Sequence, residues 1–196
     1  MSKNGELELL SRESVKMLIN TAEGQLRILK EEDLDMVLKW RNSDRVRLSM
    51  FSTHVITKKE HRNWYFNLDY NTCRYFVFEY QQRPVGLVYF TEIDQNNNRC
   101  NWGFYLGETE VPPGTGLLMG YLSMEYAFSV LNIRKLCSQV LGNNEKSFRY
   151  HHKLGFKEEG RLLKHVFHNG IYVDVIVLAL FKNEWEGVRD DLCFGK

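Results

Sequence analysis

The sequence predicts an α/β domain with a mixed central sheet of about seven strands flanked by helices. Three observations predict it. Helical patterns come first, three strand-like runs then follow one another through residues 73–106, and helix and strand alternate from there to residue 181. The strand-like runs are bounded by turn residues. The chain, 196 residues with 43% hydrophobic and 26% charged, is long enough to bury one continuous core without disulfides or metal. The domain is expected over residues 23–186, between a polar extension at 1–22 and a tail at 187–196.

The elements can be justified in order. QLRIL (25–29) alternates apolar and polar residues as a half-buried strand does. EEDLDMVLKWRNSD (31–44) sets Leu34, Val37, Leu38 and Arg41 at i, i+3, i+4 and i+7, a helix ending near Asn42. TKKE (57–60) has the spacing of a capping box, with Thr57 at N-cap and Glu60 at N3, and opens a helix through HRNWYFNL. CRYFVFEY (73–80), VGLVYFTEI (85–93) and CNWGFYL (100–106) read as an antiparallel meander, separated by QQRP and DQNNNR.

The loop VPPGTG (111–116) leads into LLMGYLSMEYAFSVL (117–131), a helix apolar on most faces and so well buried. A strand (135–141), a helix (145–154) and a hairpin complete the domain, FKEEGRLLKHVF and IYVDVIVLALF joined by HNG. The apolar second strand of that hairpin fits either the sheet interior or a homodimer edge.

Charge and cysteine usage exclude several functions. With 26 basic and 25 acidic residues the formal net charge is +1, which leaves no global electrostatic footprint for nucleic acid or an anionic membrane. Cys73, Cys100, Cys137 and Cys193 are widely spaced, with no CxxC and no Cys/His cluster, so no metal is expected. The N-terminal segment lacks the pattern of a signal peptide and no apolar run reaches a spanning length, which points to a cytoplasmic protein.

The chemistry-bearing signals are local. A glycine-rich turn at a helix N-terminus offers converging N–H groups to an anion, or merely starts a helix. Pro112 and Pro113 carry no N–H, so any cradle begins at Gly114. Further on, Asn144, Ser147, Phe148 and His151 share one helix face, while Tyr150 and His152 point elsewhere. Together the loop, the strand and N-x-x-S-x-x-x-H-x-x-x-G-F (144–156) resemble the acetyl-CoA-binding core of the GCN5-related N-acetyltransferases.

That resemblance implies a sheet splayed in its middle to bind CoA, with acetyl-CoA as co-substrate and no metal. The family's loop reads Q/R-x-x-G-x-G/A and its amides hold the pyrophosphate; here these are Gly114, Thr115, Gly116 and Leu117, with Val111 departing from the pattern. It implies further that Phe104, Tyr105 and Leu106 flank the thioester, that Asn144 and Phe148 meet the cofactor arm, and that the amine attacks directly. His151 stands where the family often has a tyrosine that protonates the departing thiolate, and neutral imidazole can donate a hydrogen bond there. Tyr150 is the runner-up.

In the first half, WRN (40–42), VRLSMFS (46–52) and EHRNWYFNL (60–68) resemble the branch that acetylates the free amine of a UDP-linked amino-deoxy sugar in pseudaminic acid biosynthesis. The resemblance implies that Arg41 and His61 contact the nucleotide, and that Phe51, Thr91 and Trp102 sit near nucleotide or sugar. An arginine fork suits a diphosphate, though an arginine ending a helix also gains from its dipole. His61, Trp64 and Tyr65 lie on one face, fit for stacking a base or for the core. Glu92, at a strand end, is the carboxylate expected nearest the cleft, as base or as a solvated residue. A protein N-terminus of ribosomal type, an aminoglycoside, and a non-catalytic CoA-binding module remain as alternatives.

Overall fold

The computed structural model describes residues 21–192, so nearly all of the expected 1–22 extension lies outside it. Seven strands form one sheet in the order β1-β2-β3-β4-β5-β7-β6. They are β1 (Gly24–Ile28), β2 (Arg74–Tyr80), β3 (Arg83–Asp94), β4 (Arg99–Leu106), β5 (Lys135–Leu141), β6 (Lys157–His168) and β7 (Ile171–Phe181). All neighbours are antiparallel except β4 and β5. The apolar run of β7 therefore lies inside the sheet, between β5 and β6, and the more polar β6 takes the edge.

The helices are α1 (Leu34–Asn42), α2 (Asp44–Arg47), α3 (Lys58–Phe66), α4 (Thr115–Glu125), α5 (Glu145–Lys153) and α6 (Lys182–Arg189). The capping box of α3 forms: Thr57 Oγ1 accepts from the Glu60 N–H at 3.2 Å, and Glu60 Oε2 accepts from the Thr57 N–H at 2.7 Å. The helix expected over 117–131 is α4 followed by one π-type turn, in which the Leu131 N–H reaches Tyr126 O at 3.0 Å. Helix α6 crosses the boundary expected at 186. Its Trp185 is 1% exposed and donates from Nε1 to Glu125 at 2.8 Å, and Val188, past that boundary, packs against the same core.

The sheet divides the core. Val77, Leu87 and Tyr105 pack with Trp40, Val37 and Val46 from α1 and α2 on one face. Phe76, Phe90 and Trp102 pack with Leu118, Met119, Leu122 and Trp185 from α4 and α6 on the other. No helix among the described residues is long and apolar enough to cross a membrane.

Candidate active site

The site begins where a ladder stops. Strands β4 and β5 pair over only three residues, Arg99 to Asn101 with Lys135 to Cys137, and then part. The Gly107 N–H bonds to Val85 O at 2.8 Å, which turns the odd-numbered amides at the end of β4 toward β3. By alternation the Phe104 and Leu106 amides face the gap, whereas Tyr105, expected to present its amide there, presents it to β3. A cavity of about 520 Å³ fills the gap and runs from the α1–α2 side of the sheet to α5.

On one wall, Gly114 is the N-cap of α4 with φ 92°, a left-handed conformation that glycine adopts without a Cβ penalty. Thr115 is spent within the loop: its hydroxyl and its N–H both donate to Pro112 O, at 2.7 and 3.2 Å. The expected contact of Thr115 with a pyrophosphate is therefore not supported by its geometry. The amides of Gly116 and Leu117, at the second and third positions of α4, have no carbonyl one turn back within the helix. Of the loop residues, Gly116 lines the cavity.

Helix α5 supplies the facing wall. Asn144 is its N-cap, with Oδ1 accepting from the Ser147 N–H at 3.1 Å, and it lines the cavity. Phe148 does not; it packs edge-on against His152 at 4.5 Å and is withdrawn from the expected cofactor contact. Tyr150 donates its hydroxyl to Gly116 O at 2.6 Å, pinning α5 to the start of α4, and burial pushes its pKa far above the ordinary tyrosine value.

His151 lines the cavity but does not present a donor to it. A carbonyl oxygen can only accept, so Nδ1, 2.8 Å from Ser147 O, carries the ring proton. Nε2 is then the acceptor for the Ser138 hydroxyl at 2.8 Å. The imidazole is 2% exposed, and burial lowers its pKa to about 4. With both nitrogens engaged and the ring neutral, the expectation that His151 protonates a thiolate is not met. Instead it fixes Ser138, whose Oγ lies 3.3 Å from Trp102 O at the point where β4 and β5 part.

The acceptor-side expectations divide. Phe51 and Thr91 line the cavity on the α1–α2 side. Arg41 stands behind that wall. Its Nη2 donates to Ser52 O at 2.9 Å, while Nη1 is buried without a partner, and burial, then nearby Arg47, lower its pKa. Trp102 lines the cavity from the opposite face, 3% exposed among Phe104, His151 and Phe156, away from Arg41 and Phe51.

His61 belongs elsewhere. It lines a separate groove between α1 and α3, stacked on Trp64 at 4.9 Å, with its pKa lowered by burial. The charges around that groove pair with each other, Arg62 with Glu31 at 2.7 Å and Lys58 with Asp35 at 3.0 Å. Glu92 is the extra residue of a bulge in β3, at φ 50°, exposed and outside the cavity, so it is not placed to act as the base.

Sequence reasoning missed Arg45, Lys146 and Ser138, which all line the cavity. Arg45 donates from Nη2 to Leu106 O and Gly107 O at 2.9 and 2.8 Å, clamping α2 to the end of β4. A lone serine inside the apolar strand KLCSQVL was the only signal for Ser138. Among the described residues no group of His, Cys, Asp or Glu could hold a metal ion.

Comparison with known proteins agrees with this geometry. Residues 25–157 match the acetyltransferase (GNAT) domain. The chain is 30% identical to spermidine N(1)-acetyltransferase of Escherichia coli over 82% of its length and 87% of the relative's. It is 24% identical to the acetyltransferase PseH of Campylobacter jejuni, over 65% and 79%. The crystal structure of the Vibrio cholerae spermidine N-acetyltransferase with CoA and spermine shares the fold, with a TM-score of 0.79 at 24% identity over 85% of this chain and 99% of that one.

Proposed function

This chain belongs to the GNAT acetyltransferases and is an acetyl-CoA-dependent N-acetyltransferase, and we propose that its acceptor amine is carried by an anion, a UDP-linked amino-deoxy sugar. One observation carries the reading. Among the described residues, no carboxylate lines the cavity, whereas Arg45 and Lys146 do. Behind its wall, Arg41 Nη1 and Arg47 Nε are buried guanidinium nitrogens without an acceptor. A guanidinium and an ammonium at the wall, with two more guanidinium groups behind it, suit a diphosphate, and such a cavity repels a polycation.

The chain's own groups suit the reaction. Acetyl-CoA supplies the acetyl group as an activated thioester. The Gly116 and Leu117 amides and the positive end of α4 suit its pyrophosphate, and Phe104 and Leu106 turn their amides toward the gap where carbonyl charge develops. The ammonium of the acceptor must lose its proton before it attacks. With Glu92 outside the cavity and His151 engaged with Ser138, that proton leaves to water. Holding both substrates in one cleft makes the attack effectively unimolecular.

Spermidine is the competing acceptor, since the Escherichia coli relative acts on it. A polyamine needs carboxylates facing it, and Glu31 and Asp35 are in the groove beside His61, already paired. Acetylation rates with a UDP-amino-deoxy sugar, spermidine and a ribosomal N-terminal peptide decide between them. The nucleotide sugar is expected to give the highest kcat/KM. Arg41→Ala is expected to raise its KM about ten-fold, because it removes a positive charge behind the acceptor wall and the hydrogen bond that holds Ser52 beside Phe51, with the acetyl-CoA dissociation constant unchanged. A higher kcat/KM for spermidine overturns the proposal.

A further inference from the structure

On the α1–α2 face of the sheet, the cavity floor carries three polar side chains that the protein leaves unused. Tyr89 packs on that face, Thr91 follows it two residues along β3, and their cross-strand partners in β4 are Gly103 and Asn101. All four residues line the cavity and are partly exposed. Among the described residues, the Tyr89 and Thr91 hydroxyls and the Asn101 amide find no hydrogen-bond partner, and none of them is sealed from solvent as the indole nitrogen of Trp102 is. These are groups that a ligand in the cavity can reach.

The phenol is the most firmly placed of the three. A Cβ on Gly103 would overlap it from Cζ to the hydroxyl oxygen, so the ring lies across that glycine, and it is stacked on Tyr75 at 5.5 Å. The next residue, Phe104, turns its amide into the gap, which sets the hydroxyl beside the place expected for the thioester carbonyl. Burial raises the phenol pKa more than nearby Arg41 lowers it, so the group is neutral and both donates and accepts. The cation at this wall stands apart: Arg45 is bonded to Leu106 O, three residues further along β4. A neutral floor whose groups are spaced about 7 Å apart along a strand suits one sugar ring, and the cation beyond it suits a phosphate.

Resting on the nucleotide-sugar reading of the acceptor, we propose that Tyr89, Thr91 and Asn101 form the subsite for the amine-bearing sugar ring, and that the Tyr89 hydroxyl oxygen accepts a hydrogen bond from the attacking amine. Held by one N–H, the neutral amine turns its lone pair toward the thioester carbon. That lone pair becomes the C–N bond, and the C–S bond breaks with its electron pair on sulfur. Nitrogen sheds its proton to water, sulfur takes one from water, and the phenol keeps its own. The bond to Tyr89 strengthens as nitrogen gains positive charge, so it favours the transition state over the bound substrate.

Two variants test this. Tyr89→Phe keeps the ring over Gly103 and removes only the hydroxyl. It is expected to lower kcat with a UDP-linked amino-deoxy sugar about ten-fold, the worth of one hydrogen bond, with the dissociation constants of acetyl-CoA and UDP unchanged. Asn101→Ala is expected instead to raise the KM of the sugar nucleotide about ten-fold, with kcat and the affinity for UDP close to wild type, a split that a general loss of structure does not produce. A wild-type kcat for Tyr89→Phe overturns the assignment, as do equal losses of affinity for UDP and for the sugar nucleotide in Asn101→Ala. If the wild-type protein neither binds UDP nor acetylates the sugar nucleotide, the acceptor reading falls and the subsite with it. If it does both and the two variants behave as wild type, only the subsite falls.

Discussion

The two walls of the cavity differ in how their polar groups are satisfied. On the α4–α5 side, the polar side chains of Thr115, Ser138, Asn144, Tyr150 and His151 bond within the protein. Among the buried polar side-chain atoms described on this wall, only the indole nitrogen of Trp102 lacks a partner. On the α1–α2 side, the guanidinium groups of Arg41 and Arg47 each leave a buried nitrogen unpartnered. The first wall is built before any ligand arrives, as suits a co-substrate whose shape does not vary. The second carries buried positive charge that its own bonds do not exhaust, as suits an anionic acceptor. A satisfied network rigidifies, and uncompensated positive charge favours an anion.

The strongest way to break this contrast is at the joint between the walls. A Cβ on Gly107 would stand 2.0 Å from the Trp40 ring, which is buried and whose Nε1 donates to Glu108 at 2.8 Å. Gly107→Ala is expected to cost about 3 kcal/mol or more, the upper range for overpacking, read as a drop in Tm. By displacing α1 it should raise the acceptor KM more than the acetyl-CoA KM. Equal effects on the two would mean that the walls are not independent.

The second test addresses the preformed wall. The pKa of His151 falls from 6.5 to about 4 on folding, because burial disfavours the charged ring. The unfolded chain therefore binds more protons between these values. The stability that depends on a neutral His151 is present in full above pH 6.5 and is lost as pH falls toward 4, to a total of about 3 kcal/mol. Unfolding free energies of wild type and His151→Gln should diverge over this window. Parallel curves would show that the ring is not held neutral.

The smallest expected effect lies on the acceptor side and away from the cavity. Thr57→Ala removes the cap of α3 and is expected to cost about 1 kcal/mol with kcat unchanged. A changed kcat would show that α3 communicates with the cavity.

Much of the first wall was legible in the sequence because its signals are local. Glycines that admit positive φ, a capping asparagine and a one-face spacing of Asn144, Ser147 and His151 are all set by neighbours in the chain. The role of His151 was not, since its tautomer depends on Ser138, brought from another strand. The spacing of His61, Trp64 and Tyr65 correctly gave a shared face, but spacing does not say which side of a helix meets a cavity. Helices α2 and α6 are not legible because their apolar patterns are too short. One has four residues and no period, and the other offers only Trp185 and Val188 as apolar signals.

The three-residue ladder between β4 and β5 has a consequence for assembly as well. The β2–β3–β4 meander and the β6–β7 hairpin close through short turns, so their pairing requires little loop-closure entropy. Joining β4 to β5 is different, because it must close a connection of about 30 residues that includes α4 and returns only three pairs. The opening that admits the co-substrate is thus also the weakest seam along which the two halves of the sheet are sewn together.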